Sequence, residues 1–113
     1  MRAAVLTSQQ AHELAVQDLP TPVPASGELL VRIAACGLCR TDLHYLHGLA
    51  TFKAPPIVLG HEISGKVEGV GAGVEGWREG EAVLLPPVVP CGACEYCWKG
   101  RGTLCLRQSM LGN

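Results

Sequence analysis

The stretch Glu28-Leu29-Leu30-Val31-Arg32-Ile33-Ala34-Ala35-Cys36, closed by Gly37, is an apolar run with few polar interruptions. Such a run, bounded by a turn signal, reads as a strand buried on both faces. Working upstream, Gly27 permits a turn. The segment Pro20-Thr21-Pro22-Val23-Pro24 before it has lost three backbone donors, so it links elements rather than pairing. Residues 3–6 and 12–19 read as two short strands. Downstream, residues 40–47 carry no β-branched side chain after Thr41 and include Leu43, Tyr45 and Leu46, which predicts one or two helical turns ending at Gly48. The chain then loops through Pro55-Pro56. Residues 63–74 return as a glycine-punctuated strand, and residues 82–85 form another before Pro86-Pro87 stops it. About six strands and one short helix predict a mainly β, partly open barrel.

The composition agrees. A chain of 113 residues makes one compact domain with a modest core, and 48% apolar with 17% charged residues is a globular balance. Fourteen glycines and eight prolines against two Trp, two Tyr and one Phe suit short strands separated by turns. Nine basic and ten acidic side chains leave no electrostatic case for nucleic acid or an anionic membrane surface. The first apolar run is too short for a signal segment, and no stretch nears the ~20 apolar residues of a membrane span. The expectation is therefore a soluble, cytoplasmic protein. In a reducing compartment, six closely set cysteines are better explained as metal ligands than as three disulfides.

Four of them form CxxCxxCx7C: Cys91, Cys94, Cys97 and Cys105, beside Gly92, Gly100 and Gly102. Two-residue spacings let successive thiolates curl around one tetrahedral zinc, and the glycines permit the tight turns. Four thiolates leave no open coordination position, so the expected role is structural, in a lobe covering about residues 90–106. An iron–sulfur cluster is the competing metal reading, although the fourth cysteine follows closely and no proline comes after it.

A second constellation follows the long apolar run. Cys36-Gly37-Leu38-Cys39-Arg40-Thr41-Asp42-Leu43-His44 and Gly60-His61-Glu62 are separated by 21 residues between Cys39 and His61. Cys36 and Cys39 alone are equally readable as a dithiol redox pair, and His61 alone as a hydrogen-bonded structural residue. The segment Gly69-Val70-Gly71-Ala72-Gly73 is glycine-rich, but no helix-like segment follows it, so it reads as turns rather than a dinucleotide fingerprint.

Taken in order, CGLCRTDLH, PPIVLGHEISGKVEGVGAGV and the four-cysteine lobe resemble the zinc-dependent medium-chain dehydrogenase/reductase family, whose catalytic domain is GroES-like. The resemblance covers nearly the whole chain. It implies that residues 1–113 are the N-terminal part of that catalytic domain, with the Rossmann nucleotide-binding domain absent. It makes Cys39 and His61 ligands of a catalytic zinc, with Glu62 able to approach the metal and Asp42 hydrogen-bonding the ligand histidine. Cys36 becomes a small buried strand-end residue. Thr41 and His44 become a proton path from the alcohol towards solvent by way of the cofactor ribose, and Arg40 meets the pyrophosphate of NAD or NADP. Asp42 also suits a helix cap, His44 a surface histidine and Arg40 a solvated charge.

The implied activity is oxidation of an alcohol, broadly a secondary one, to a carbonyl. The stretches CRTDLHYLHG and FKAPPIVLGHE extend the resemblance towards members acting on cyclic hydroxyacyl-CoA substrates, with Tyr45, Leu46 and Leu49 bordering the pocket. A small-molecule alcohol is the expected partner, in a parent that forms a homodimer or homotetramer. A catalytic zinc takes three protein ligands and one open position, and the family's third ligand comes after the lobe. The expectation is one firmly held zinc, a second held more weakly, and no turnover by this chain alone. The alternative is a non-catalytic zinc-binding module, which leaves Thr41, Asp42 and His44 without a task.

Overall fold

A computed structural model describes every residue except Ala50, Phe52 and Asn113. Phe52, part of the stretch behind the hydroxyacyl-CoA resemblance, therefore lies outside the described residues. The described chain is mainly β. In order it contains β1 (Arg2–Leu6), β2 (Ala15–Asp18), β3 (Leu29–Gly37), α1 (Arg40–Leu46), β4 (Ile57–Val58), β5 (Glu62–Val70), β6 (Ala82–Leu85), β7 (Val88–Val89), α2 (Glu95–Trp98), a 3-10 turn (Gly102–Leu104) and β8 (Ser109–Met110).

The strands form two open three-stranded sheets, β2-β1-β4 and β3-β5-β6, and a two-stranded ribbon, β7-β8. Every pairing is antiparallel. The mainly β, partly open architecture is thus as the sequence predicts. Among the described residues no helix is long and apolar enough to cross a membrane.

The core gathers around β1. Ala3, Val5 and Leu6 are buried, together with Val67 of β5 and Tyr45 of α1. Alternation explains β1: Ala3 and Val5 point inward while Arg2 and Ala4 are exposed, the period-2 pattern of a half-buried strand. β2 is shorter than the expected 12–19, because the chain bends at Glu13 and pairing with β1 begins only at Ala15; the His12 Nδ1 lies 3.0 Å from the Leu46 carbonyl at the end of α1.

Three expectations need correction. β3 is not buried on both faces: Ile33 is 57% exposed and residues 32–36 are all exposed. Its apolar run is long enough for a central strand, but the other elements present cover only part of it. Cys36 is likewise exposed rather than buried. β5 ends at Val70 rather than running to 74, because the chain turns after Gly71, where the Val74 N–H donates to the Gly71 carbonyl at 3.3 Å. The radius of gyration, 15.2 Å, exceeds the roughly 13 Å of a compact domain this long, consistent with exposed sheet faces.

Candidate metal centres

The β3–β5 register creates the first centre. Gly37, the last residue of β3, pairs with Glu62, the first of β5. Antiparallel pairing therefore delivers Cys39, two residues beyond one strand, and His61, one residue before the other, to the same end of the sheet. A Cβ at Gly37 would displace the Glu62 carboxylate and sit 3.1 Å from the Glu62 Cβ, so glycine leaves that carboxylate its place. One ligand atom each from Cys39, His61 and Glu62 lies within 4.8 Å of the others.

Cys39 is the residue that caps the N-terminus of α1. The Thr41 backbone N–H, then the Thr41 hydroxyl and His61, hold its thiol below the ordinary value, as expected where helix N–H groups stabilise a thiolate. The Thr41 Oγ1 is 3.6 Å from the Cys39 sulfur. Asp42 is 3% exposed and His61 5%. One Asp42 oxygen accepts the Cys39 backbone N–H at 2.9 Å, and the other faces His61 Nδ1 at 3.5 Å. Those two facing atoms have no hydrogen-bond partner among the described residues. Nδ1 thus points at the carboxylate, and Nε2 is left for Cys39 and Glu62. The cap role of Asp42 is made by one oxygen, and the other faces the histidine across 3.5 Å without a hydrogen bond.

Arg40 and His44 are exposed. They line a cleft of about 510 Å³ with Cys39, Asp42 and His47. Of the residues expected to border a substrate, Leu46 lines this cleft, Tyr45 is 4% exposed and packs into the interior, and Leu49 is 55% exposed. Sequence reading missed Gln9 and His12. The Gln9 Nε2 donates to the Leu49 carbonyl and His12 meets the Leu46 carbonyl, so the β1–β2 loop secures the end of the helix that carries Thr41 and His44. Neither residue belongs to a motif, and only the three-dimensional path reveals them.

The second centre is the four-cysteine cluster, whose sulfurs also lie within 4.8 Å of one another. Cys94 Sγ is 3.5 Å from that of Cys97 and 3.9 Å from that of Cys105. A tetrahedron with metal–sulfur bonds of about 2.3 Å has edges of roughly 3.8 Å, so the spacing fits one zinc. A cluster that places each thiolate on a different iron demands a wider arrangement.

The electrostatics also suit thiolates. Cys94 caps α2, and the N–H groups of Cys97 and Leu106 bring its thiol down to about 6. Cys91 is lowered chiefly by the Ala93 N–H. Cys97 moves the other way, to about 11, because burial and the adjoining Cys94 and Cys105 sulfurs disfavour another anion. A cation among the sulfurs would relieve the repulsion that raises Cys97. Arg107, unremarked in the sequence, donates its backbone N–H to Cys105 Sγ at 3.3 Å and its guanidinium to Cys91 Sγ at 3.8 Å.

Comparison with known proteins follows this geometry. The family model described as the alcohol dehydrogenase GroES-like domain matches residues 25–113. The chain belongs to this family. GroES-like domain relatives include an alcohol dehydrogenase of Geobacillus stearothermophilus, 44% identical over 99% of this chain and 34% of its own length. A sorbitol dehydrogenase of Bacillus subtilis is 36% identical over 93% of this chain and 30% of its own length.

Among solved structures, an NAD-dependent alcohol dehydrogenase superposes with a TM-score of 0.90 at 43% identity, covering 99% of this chain and 33% of its own. The alcohol dehydrogenase of the hyperthermophilic archaeon Aeropyrum pernix gives 0.89 at 34% identity, with the same coverage. The GroES-like chain described here therefore spans about one third of the length of these relatives.

Proposed function

We propose that this chain is the N-terminal part of the catalytic domain of a zinc-dependent alcohol dehydrogenase, with residues 90–106 as its structural-zinc lobe. The observation that carries the reading is the convergence of Cys39, His61 and Glu62 within 4.8 Å, with the buried Asp42 carboxylate facing His61. Asp42 fixes the tautomer that leaves Nε2 for metal and raises its donor strength. Cys91, Cys94, Cys97 and Cys105 hold the structural zinc.

A zinc at the first centre supplies Lewis acidity that favours ionisation of a bound alcohol near neutral pH, preparing hydride loss to NAD or NADP. Thr41, beside Cys39, accepts the alcohol proton into its hydroxyl hydrogen-bond chain. His44, on the open cleft, passes that proton to solvent by way of the cofactor ribose. Arg40, on the same wall, binds the cofactor pyrophosphate through a planar, permanently charged guanidinium. The nucleotide-binding domain and the remaining zinc ligand belong to the two thirds of the relatives' length that this chain does not span. The substrate is a small, broadly secondary alcohol, the full-length protein is a homo-oligomer, and a reducing cytoplasm preserves its thiolates.

Metal analysis with an activity assay tests the reading. The 113-residue chain binds two zincs, one resisting chelation and one removed readily, and shows no alcohol oxidation with NAD or NADP. Saturation at a single zinc sinks the first centre. Measurable turnover sinks the division of labour.

A further inference from the structure

The turn that presents His61 is pinned from two sides at Gly60. This glycine is buried and has a φ of 118°. A Cβ there would meet Cys36 Sγ at 2.6 Å. On its other side lies Gly112. A Cβ on Gly112 would run into the Gly60 carbonyl and sit 2.7 Å from the Gly60 nitrogen. Gly112 itself has a φ of 64°. Two glycine backbones are thus in direct apposition, one residue from a buried histidine.

Gly112 lies just beyond the four-cysteine lobe. Val88 pairs with Met110 and Val89 with Ser109, and the Leu111 N–H donates to the Pro87 carbonyl at 3.0 Å. This ribbon ties the two ends of the lobe together. Within residues 90–107 only Cys94 and Cys105 are buried, so the lobe has almost no apolar core to hold it without a cation. The Arg107 N–H on Cys105 Sγ fastens the departing strand to the last ligand. A continuous path runs from Cys105 through Arg107 and β8 to Gly112, across to Gly60, and on to His61.

We propose that Gly112 is a positioning residue for His61, and that filling the four-cysteine lobe with metal strengthens metal binding at Cys39, His61 and Glu62. This rests on reading both clusters as metal sites. With the lobe empty, Ser109–Met110 keeps its pairing with β7 but loses a metal-held Cys105 as its second anchor, so Gly112 is pressed less firmly against the Gly60 turn that aims His61. Binding free energies are reciprocal, so metal at His61 must strengthen metal binding in the lobe by the same factor. Couplings of this kind are typically 5- to 150-fold, and a single backbone contact places this one near the lower end, roughly tenfold.

Cobalt(II) is the probe, because a site with one thiolate and a site with four give different charge-transfer and ligand-field bands. In the 113-residue chain, cobalt binds the Cys39 site roughly tenfold more tightly once one equivalent of zinc has filled the lobe. In Gly112→Ala the Cys39 site weakens by about the same factor, while the four-thiolate spectrum and the affinity of the lobe are retained. A measurement on the wild-type chain guards against a misfolded variant: the His61 ring-proton resonances shift and sharpen on the first equivalent of zinc, before the Cys39 site fills. Wild-type affinity at the Cys39 site of Gly112→Ala overturns the proposal, as do His61 resonances that ignore the first equivalent. A wild-type chain whose Cys39 site takes up no cobalt at all overturns the reading of that cluster as a metal site as well.

Discussion

Replacing Asp42 by Asn isolates the group that stands behind His61. The carboxylate offers two acceptors to two N–H groups: Oδ2 takes the Cys39 backbone N–H at 2.9 Å, and Oδ1 faces His61 Nδ1 at 3.5 Å. Asparagine has nearly the same shape but only one acceptor and an NH2 donor. Whichever way the amide turns, a donor faces a donor in a space where both residues are at most 5% exposed. A buried donor left unpaired costs about 1–3 kcal/mol. Removing the carboxylate partner of a metal-binding histidine costs 10- to 100-fold in affinity, or about 1.4–2.7 kcal/mol. The two arguments agree. Asp42→Asn is therefore expected to weaken zinc at Cys39, His61 and Glu62 by at least tenfold while leaving the four-cysteine site untouched. Titration against a chromophoric chelator resolves the two classes, and only the weaker one moves. If both classes keep their wild-type affinities within threefold, the geometry at Asp42 does not act on the metal and the reasoning fails.

Cys105→Ser removes a buried sulfur that accepts the backbone N–H of both Cys91 and Arg107; the variant is expected to lose the chelation-resistant zinc altogether, and metal analysis after dialysis that still finds it contradicts the ligand set. Zinc affinity of the lobe falls with acid, because each thiol must lose its proton to bind. The slope of log affinity against pH steepens by one unit as pH drops below about 6, where the Cys94 thiolate, lowered by the N–H groups of Cys97 and Leu106, is itself protonated. Calorimetric titration across pH 5–8 reads that slope, and a constant slope counts against a depressed Cys94. Lys99→Ala breaks the Lys99–Glu95 pair at 3.0 Å, whose side chains are 63% and 56% exposed. Exposed pairs of this spacing contribute about 0.3–0.5 kcal/mol, so lobe affinity should stay within a factor of three.

Features written into local spacing were legible before the structure. CxxCxxCx7C needs only short loops to bring Cys91, Cys94, Cys97 and Cys105 together, and α1 follows from residues 40–47 alone. Features made by distant pairing were not. β7 and β8 have two residues each and depend on Val88 meeting Met110, a partnership no periodicity announces. β4, also two residues, exists because Val58 and Ile57 pair with Val5 and Leu6. The exposed β3 shows a different failure: an apolar run predicts burial only where other elements pack over it, and at the edge of the β3-β5-β6 sheet Ile33 is left at 57% exposure. At the first centre the resemblance supplied the ligands, whereas the Gly37–Glu62 register supplies the physical reason they meet.

Donor chemistry separates the two centres more sharply than sequence similarity does. Four thiolates around a divalent zinc leave a net charge of about −2 and no vacant position. That surplus is met by Arg107 over Cys91 and by the Cys91 and Arg107 N–H groups on Cys105, an environment that stabilises the complex and suppresses its acidity. One thiolate, one neutral imidazole and one carboxylate would leave a zinc held there electrically neutral and with a position to spare. There the cation-capable side chains Arg40, His44 and His47 line an open cleft that Cys39 borders. Charge compensation is thus built into the lobe, whereas at Cys39 three donors alone would leave a fourth position for a substrate oxygen, on the side where Cys39 borders the open cleft.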